Sequence, residues 1–114
     1  MQTLVFGFII TVDNKSPSAG NYTTLQDAHD VATAGDTIFV YPSGVSYAGI
    51  NVTKKLILYG TGFENDFVET GIMNITSISG TMTFSEGADS SLLSGFGTDF
   101  QVIIDADNIQ IKRN

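Results

Sequence analysis

Apolar and polar residues alternate over short stretches of this chain, a pattern typical of β-strands whose two faces meet different surroundings. In residues 37–41, Ile38 and Val40 fall on one face of the strand, and Thr37 and Phe39 fall on the other. Strand-like runs with apolar-x-apolar spacing recur along the chain, at residues 49–53, 56–60, 73–76, 81–84, 91–94, 101–104 and 108–112. Because turn-forming residues separate many of these runs, the pattern predicts a series of short strands.

One segment before these strands has helical spacing instead. Its apolar residues recur three and four positions apart, at Leu25, Ala28, Val31 and Ala32. Thr24 is suited to cap the helix N-terminus, with Asp27 in the first turn, and Gly35 is suited to end it. We expect the apolar stripe to cover one end of the core. His29 lies off that stripe and is expected to face solvent.

The apolar run at residues 4–10 is too short to cross a bilayer as a helix, so no membrane span is predicted there. No basic residue precedes it, and no small-x-small cleavage site follows it before Asp13. We interpret it as the first strand, and the alternative is the end of a signal peptide. Residues 13–20 are rich in turn formers and are predicted to be a loop.

Three segments together resemble a known family: residues 22–28, 34–42 and 47–60. They are similar to the N-terminal part of the pectin-lyase-like superfamily of right-handed parallel β-helix proteins, and residues 104–114 look like a further coil. The resemblance implies an all-β fold, a right-handed parallel β-helix (solenoid) of a few coils with a short N-terminal capping α-helix. A β-sandwich of short strands is the alternative.

The length of 114 residues fits one domain. We expect residues 1–36 to form the N-terminal strand, loop and capping helix, and residues 37–114 to form the coils. A strand-like run reaches the end of the sequence, so the last coil is predicted to be uncapped. Two interpretations follow: the chain is a fragment of a longer solenoid, or another chain covers the open end.

The balance of charge argues against nucleic acid as a partner. Acidic residues outnumber basic ones by 12 to 5, the net charge is -7, and no basic cluster larger than a pair occurs. The chain also has no cysteine, which excludes a disulfide framework and cysteine-ligated zinc.

Three tyrosines lie on or beside the first predicted coil: Tyr41, Tyr47 and Tyr59. Sugar-binding surfaces use exposed aromatic rings, so these tyrosines are candidate carbohydrate contacts. The alternative is that their rings are half-buried between strands.

Asp105 and Asp107 alternate in sequence, which places both carboxylates on one side of an extended segment. Calcium takes six to eight oxygen ligands, so this pair is a candidate part of a calcium site. The alternatives are a turn with solvated acids and paired-carboxylate glycosidase chemistry. We predict no other cofactor, and no residue matches a catalytic motif of the family.

The family resemblance implies a secreted or cell-surface protein associated with polysaccharides. We expect a non-catalytic scaffold or binding segment of such a protein, adhesin-like and carbohydrate-associated. One alternative is the N-terminal portion of a polysaccharide lyase or glycoside hydrolase whose active site lies beyond residue 114. Another is a self-assembling structural protein that stacks through its uncapped end. The residues leave open whether the chain has enzymatic activity, and they favour none.

Overall fold

The computed structural model describes residues 8–14, 20–42, 45–60, 77–96 and 100–112. Within them the chain forms one helix, α1 (Leu25–Val31), and a set of short strands. The strands are β1 (Ile9–Val12), β2 (Thr37–Val40), β3 (Tyr47–Ala48), β4 (Asn51–Val52), β5 (Ile57–Tyr59), β6 (Ile78–Ser79), β7 (Thr81–Phe84), β8 (Leu92–Ser94), β9 (Gln101–Ile104) and β10 (Gln110–Lys112). The predicted strand at residues 73–76 lies outside the described residues.

The described strands form three sheets. The largest has five strands in the order β1-β2-β5-β8-β10, the second has three in the order β4-β7-β9, and the third pairs β3 with β6. Every pair between these strands is parallel. The hairpins of an antiparallel sandwich are therefore not found in the described part of the chain.

The predicted fold class is wrong. The structure is a small mixed α/β domain with one helix and three parallel sheets of short strands, and not an all-β right-handed parallel β-helix (solenoid). The helix supplies core residues of its own, including Leu25 and Ala28. The sheets contain five, three and two strands, whereas equal repeating coils would give sheets of equal size. Alternation in the sequence identified the two faces of single strands. It does not indicate how many strands each sheet contains.

The core side of the five-stranded sheet is a ladder of aliphatic side chains. Strand register aligns one residue from each strand, namely Ile10, Ile38, Leu58, Leu93 and Ile111. Ile38, Leu58 and Leu93 are buried. Burial of a side chain of this size stabilises the fold by about 1.5–3 kcal/mol. Because side chains alternate along a strand, the residues on either side of this ladder point outward.

Helix α1 begins as the sequence predicts. The Thr24 side chain accepts a hydrogen bond from the backbone N–H of Asp27, at 3.1 Å. The helix ends at Val31, earlier than the predicted stop at Gly35. Gly35 has the left-handed conformation expected of it, with φ of 97°, and its N–H donates to the carbonyl of Lys55.

The buried side of α1 differs from the predicted stripe. His29 is buried, with 5% of its surface exposed, whereas Val31 is exposed. The buried set is Leu25, Ala28, His29 and Ala32, which is the three- and four-residue spacing of a helix that packs on one side. The prediction that His29 faces solvent is therefore wrong. That prediction rested on the position of His29 off the apolar stripe, which was drawn through Val31.

Candidate functional site

The outward side of the five-stranded sheet carries aromatic and aliphatic residues. Strand register aligns one outward row as Thr11, Phe39, Tyr59, Ser94 and Lys112, and the next as Ile9, Thr37, Ile57, Leu92 and Gln110. Lys112 is the only charged residue in these two described rows. The surface is therefore largely uncharged, although the chain as a whole is strongly acidic.

Three aromatic residues gather on this outward side. The rings of Phe39 and Tyr41 lie 5.4 Å apart between centroids, in an edge-to-face arrangement at 76°. Tyr59 is the register partner of Phe39 on the neighbouring strand, and such strands lie about 4.8 Å apart. Tyr59 is 41% exposed. We call Phe39, Tyr41 and Tyr59 the aromatic face.

The backbone of β2 explains why Phe39 and Tyr41 share one side. Ile38 and Val40 are fully buried, so the residues that alternate with them point outward. The N–H of Tyr41 bonds the carbonyl of Val12, which continues the ladder to β1 by one residue. Phe39 was not among the predicted sugar contacts. The alternation in residues 37–41 already placed it outward and could have identified it.

Tyr47 lies elsewhere. Its side chain is buried, and its hydroxyl donates to the carbonyl of Tyr41 at 2.9 Å and accepts from the N–H of Asn14 at 3.2 Å. Burial raises the pKa of the Tyr47 phenol above its ordinary value. Tyr47 is therefore a core residue that fixes the end of β2, and it is not a carbohydrate contact.

Asp105 and Asp107 lie on the turn between β9 and β10, and both are exposed. The N–H of Asp105 bonds the carbonyl of Phe84, whereas the N–H of Asp107 donates to the Asp89 carboxylate at 3.0 Å. No group of three or more histidine or acidic residues that could hold a metal occurs among the described residues. The Asp89 carboxylate beside this turn is engaged by the Asp107 N–H, and the calcium site stays a prediction.

Each ring nitrogen of His29, the single histidine, has a polar partner within the fold. Nε2 of His29 lies 3.2 Å from the backbone nitrogen of Thr53, and Nδ1 lies 3.3 Å from a carboxylate oxygen of Asp30. The ring is buried beneath the helix surface. This arrangement links α1 to the segment after β4 and leaves neither ring nitrogen directed at an open cleft.

Comparison with known proteins gives no further guide. No family model, no curated protein and no solved structure matches this chain. Among the described residues, no helix combines the length and the apolar character needed to cross a membrane. The aromatic face is therefore the described feature that bears most directly on function.

Proposed function

We propose that this chain is a non-catalytic carbohydrate-binding segment of a secreted or cell-surface protein, with the aromatic face as its contact surface. The observation that carries the proposal is the gathering of Phe39, Tyr41 and Tyr59 on one outward side of the five-stranded sheet. The extracellular setting rests on the sequence resemblance alone. No described constellation supports a catalytic role.

The chemistry of the face favours a neutral glycan. Aromatic rings offer a flat apolar surface to the C–H groups of a pyranose, and the tyrosine hydroxyls can add hydrogen bonds. Thr11 and Ser94 flank the aromatic residues in the same outward row. A polyanionic glycan would meet the repulsion of a chain with net charge -7.

The direct test is retention on insoluble neutral polysaccharides, with cellulose, chitin and xylan as probes. We expect the chain to be retained on at least one of them. Tyr59→Ala should weaken binding roughly two- to thirteenfold, which corresponds to the ~0.5–1.5 kcal/mol of an aromatic contact.

Val31→Ala is the matched control, because it removes an exposed apolar side chain from α1 and leaves the sheet untouched. Its binding should equal that of the unmodified chain. Failure of the unmodified chain to bind any of the three polysaccharides would contradict the proposal. So would equal losses in the two variants.

Self-association is a second proposed property, favoured by a separate observation. Ile103 and Ile104 on β9 and Ile111 on β10 are all exposed, and among the described strands these two are the last members of their sheets. Exposed edge strands with apolar side chains readily pair with another chain. We therefore propose that copies of this chain associate through the edge formed by β9 and β10.

A further inference from the structure

Outward side chains of the five-stranded sheet are aligned across its strands. Strand register places Phe39 of β2, Tyr59 of β5 and Ser94 of β8 side by side in one row. Because neighbouring strands lie about 4.8 Å apart, the row offers one side chain at each step of this length. Tyr59 is exposed, and Phe39 and Ser94 are partly exposed. The row is therefore a regular series of contacts that a ligand can reach.

Ser94 supplies the polar group of this row. Its carbonyl accepts from the N–H of Gly60, whereas its hydroxyl makes no hydrogen bond within the described part of the chain. Thr11, at the other side of Phe39, differs because its hydroxyl donates to the Asn21 side chain at 3.0 Å and accepts from the Asn21 N–H at 2.9 Å. The Ser94 hydroxyl is therefore the one that can hydrogen-bond a ligand over the two rings.

Along β2 itself the rings do not form a comparable platform. The planes of Phe39 and Tyr41 are 76° apart. A flat ligand that runs along the strand can lie against the face of only one of these rings, and it meets the edge of the other. A ligand that crosses from β2 to β5 avoids this conflict, because its second ring contact is Tyr59.

A linear β-1,4-linked glycan has the shape that such a row requires. Its equatorial linkages hold the sugars in an extended ribbon, and each sugar advances the chain by a distance close to the spacing of strands in a sheet. The C–H groups on the flat side of each sugar suit the rings of Phe39 and Tyr59, and the hydroxyls along the edge of the ribbon suit Ser94.

The linkage between sugars decides whether a glycan fits this row. In an α-1,4-linked glucan one bond of each linkage is axial, and the chain coils instead of extending. The sugars that follow the one over Phe39 then turn away from β5 and β8. A row of this kind therefore distinguishes glycans of identical composition by the shape of the chain.

We propose that the aromatic face binds a linear, extended β-1,4-linked glycan that lies across the strands, with successive sugars over Phe39, Tyr59 and Ser94. This inference rests on the proposed function and names the class of glycan and its direction on the sheet. The two rings stack on two successive sugars, and the Ser94 hydroxyl bonds the next. Tyr41 meets the sugar over Phe39 from the side.

Calorimetric titration of the full chain with tetrasaccharides tests the linkage. The probes are cellotetraose, chitotetraose and xylotetraose, with maltotetraose as the control, because it contains the same glucose units as cellotetraose in α-1,4 linkage. Maltotetraose should bind roughly tenfold more weakly than the best β-linked probe, since the bent chain loses an aligned contact. Maltotetraose binding as tightly as every β-linked probe would overturn the linkage and leave a neutral-glycan contact standing. Binding of none of the four would contradict the proposed function itself.

Two variants that each remove one outward hydroxyl test the direction. Ser94 lies beside Tyr59 on the next strand, whereas Thr37 precedes Phe39 by two residues on β2. Ser94→Ala should weaken binding of the best tetrasaccharide roughly two- to thirteenfold, the effect of one hydrogen bond, and Thr37→Val should leave it unchanged. Equal affinities of the two variants, or a larger loss in Thr37→Val, would overturn the crossing direction. A loss in Tyr59→Ala in the same titration would still support the aromatic face.

Discussion

At the scale of single residues, His29 shows how a polar side chain can serve as a core residue. A backbone N–H can only donate, so Nε2 of His29 must accept the bond from Thr53, and the ring proton lies on Nδ1, beside Asp30. The Asp30 carboxylate also accepts from the Gln26 side chain, which with the His29 contact lowers the pKa of Asp30. His29 thus connects α1 to the segment after β4 through Thr53. Its other ring nitrogen contacts Asp30 on the exposed side of the same helix.

His29→Ala should therefore destabilise the fold. It leaves the Thr53 N–H without its partner and opens a cavity under α1, so we expect the free energy of unfolding to fall by about 2–4 kcal/mol. Urea denaturation would measure it. Val31→Ala on the same helix should change the value by less than about 0.5 kcal/mol, because Val31 is exposed. Coincident unfolding curves for the two variants would contradict the assigned role.

Tyr47 gives the fold a dependence on alkaline pH. Burial raises the pKa of the Tyr47 phenol from an ordinary value of 10.0, and the nearby Asp13 carboxylate also raises it. Since the folded state disfavours the ionised phenol, its contribution to stability is complete below about pH 10 and is lost as the pH rises through the folded-state pKa.

The melting temperature should therefore fall above about pH 10, and it should fall less steeply in Tyr47→Phe. At neutral pH the same variant should be less stable by about 1–3 kcal/mol, because Tyr41 and Asn14 lose their partner. Thermal melts across the alkaline range would measure both effects. Parallel alkaline slopes for the two proteins would show that another group controls the transition.

At the scale of elements, α1 depends on tertiary contacts because a helix of seven residues is too short to be stable alone. Lys54 supplies one such contact: its ammonium group donates to the carbonyls of His29 and Ala32, at 2.9 and 2.7 Å. A cation at this end of the helix also offsets the negative end of the helix dipole.

Lys54→Met keeps most of the length of the side chain and removes both bonds. We expect it to lower the free energy of unfolding by about 1–2 kcal/mol, since charged hydrogen bonds to the helix end are lost. Lys55→Met is the control, because Lys55 is exposed and its side chain makes no described contact with α1. Equal stability of the two variants in urea denaturation would show that the cap is unimportant.

The sequence was a good guide to single elements. Alternation predicted β2, β7 and β9 to within a residue, and Thr24 was correctly predicted as the helix cap. Which side of α1 is buried was harder to predict from the sequence. The sequence placed Val31 on the apolar stripe and His29 off it, and the acceptor position opposite the Thr53 N–H explains why the imidazole is buried instead.

At the scale of the whole molecule, the pairing of strands could not be predicted. The alternation that defines β2 and β5 does not state that they are neighbours, nor that β1 lies beyond β2. The aromatic face depends on that neighbourhood, because Tyr59 comes beside Phe39 only through the register of β5 on β2. The same limit explains why Tyr47 was grouped with the other tyrosines, although the structure places it in the core.

The two proposed surfaces belong to one sheet. Phe39 and Tyr59 lie on its outward side, and β10 is the last of its described strands. Association of two copies through the edge formed by β9 and β10 would present two aromatic faces in one assembly. A dimer should then be retained on a polysaccharide surface more strongly than one copy, through avidity.

The central claim is that Phe39, Tyr41 and Tyr59 contact a neutral glycan. The most direct measurement is the change in backbone amide NMR resonances when a soluble oligosaccharide of the retained polysaccharide is added to the full chain. The largest shifts should fall on these three residues and their neighbours on β2 and β5. Shifts centred on Asp105 and Asp107, or no shifts at saturating oligosaccharide, would contradict the account.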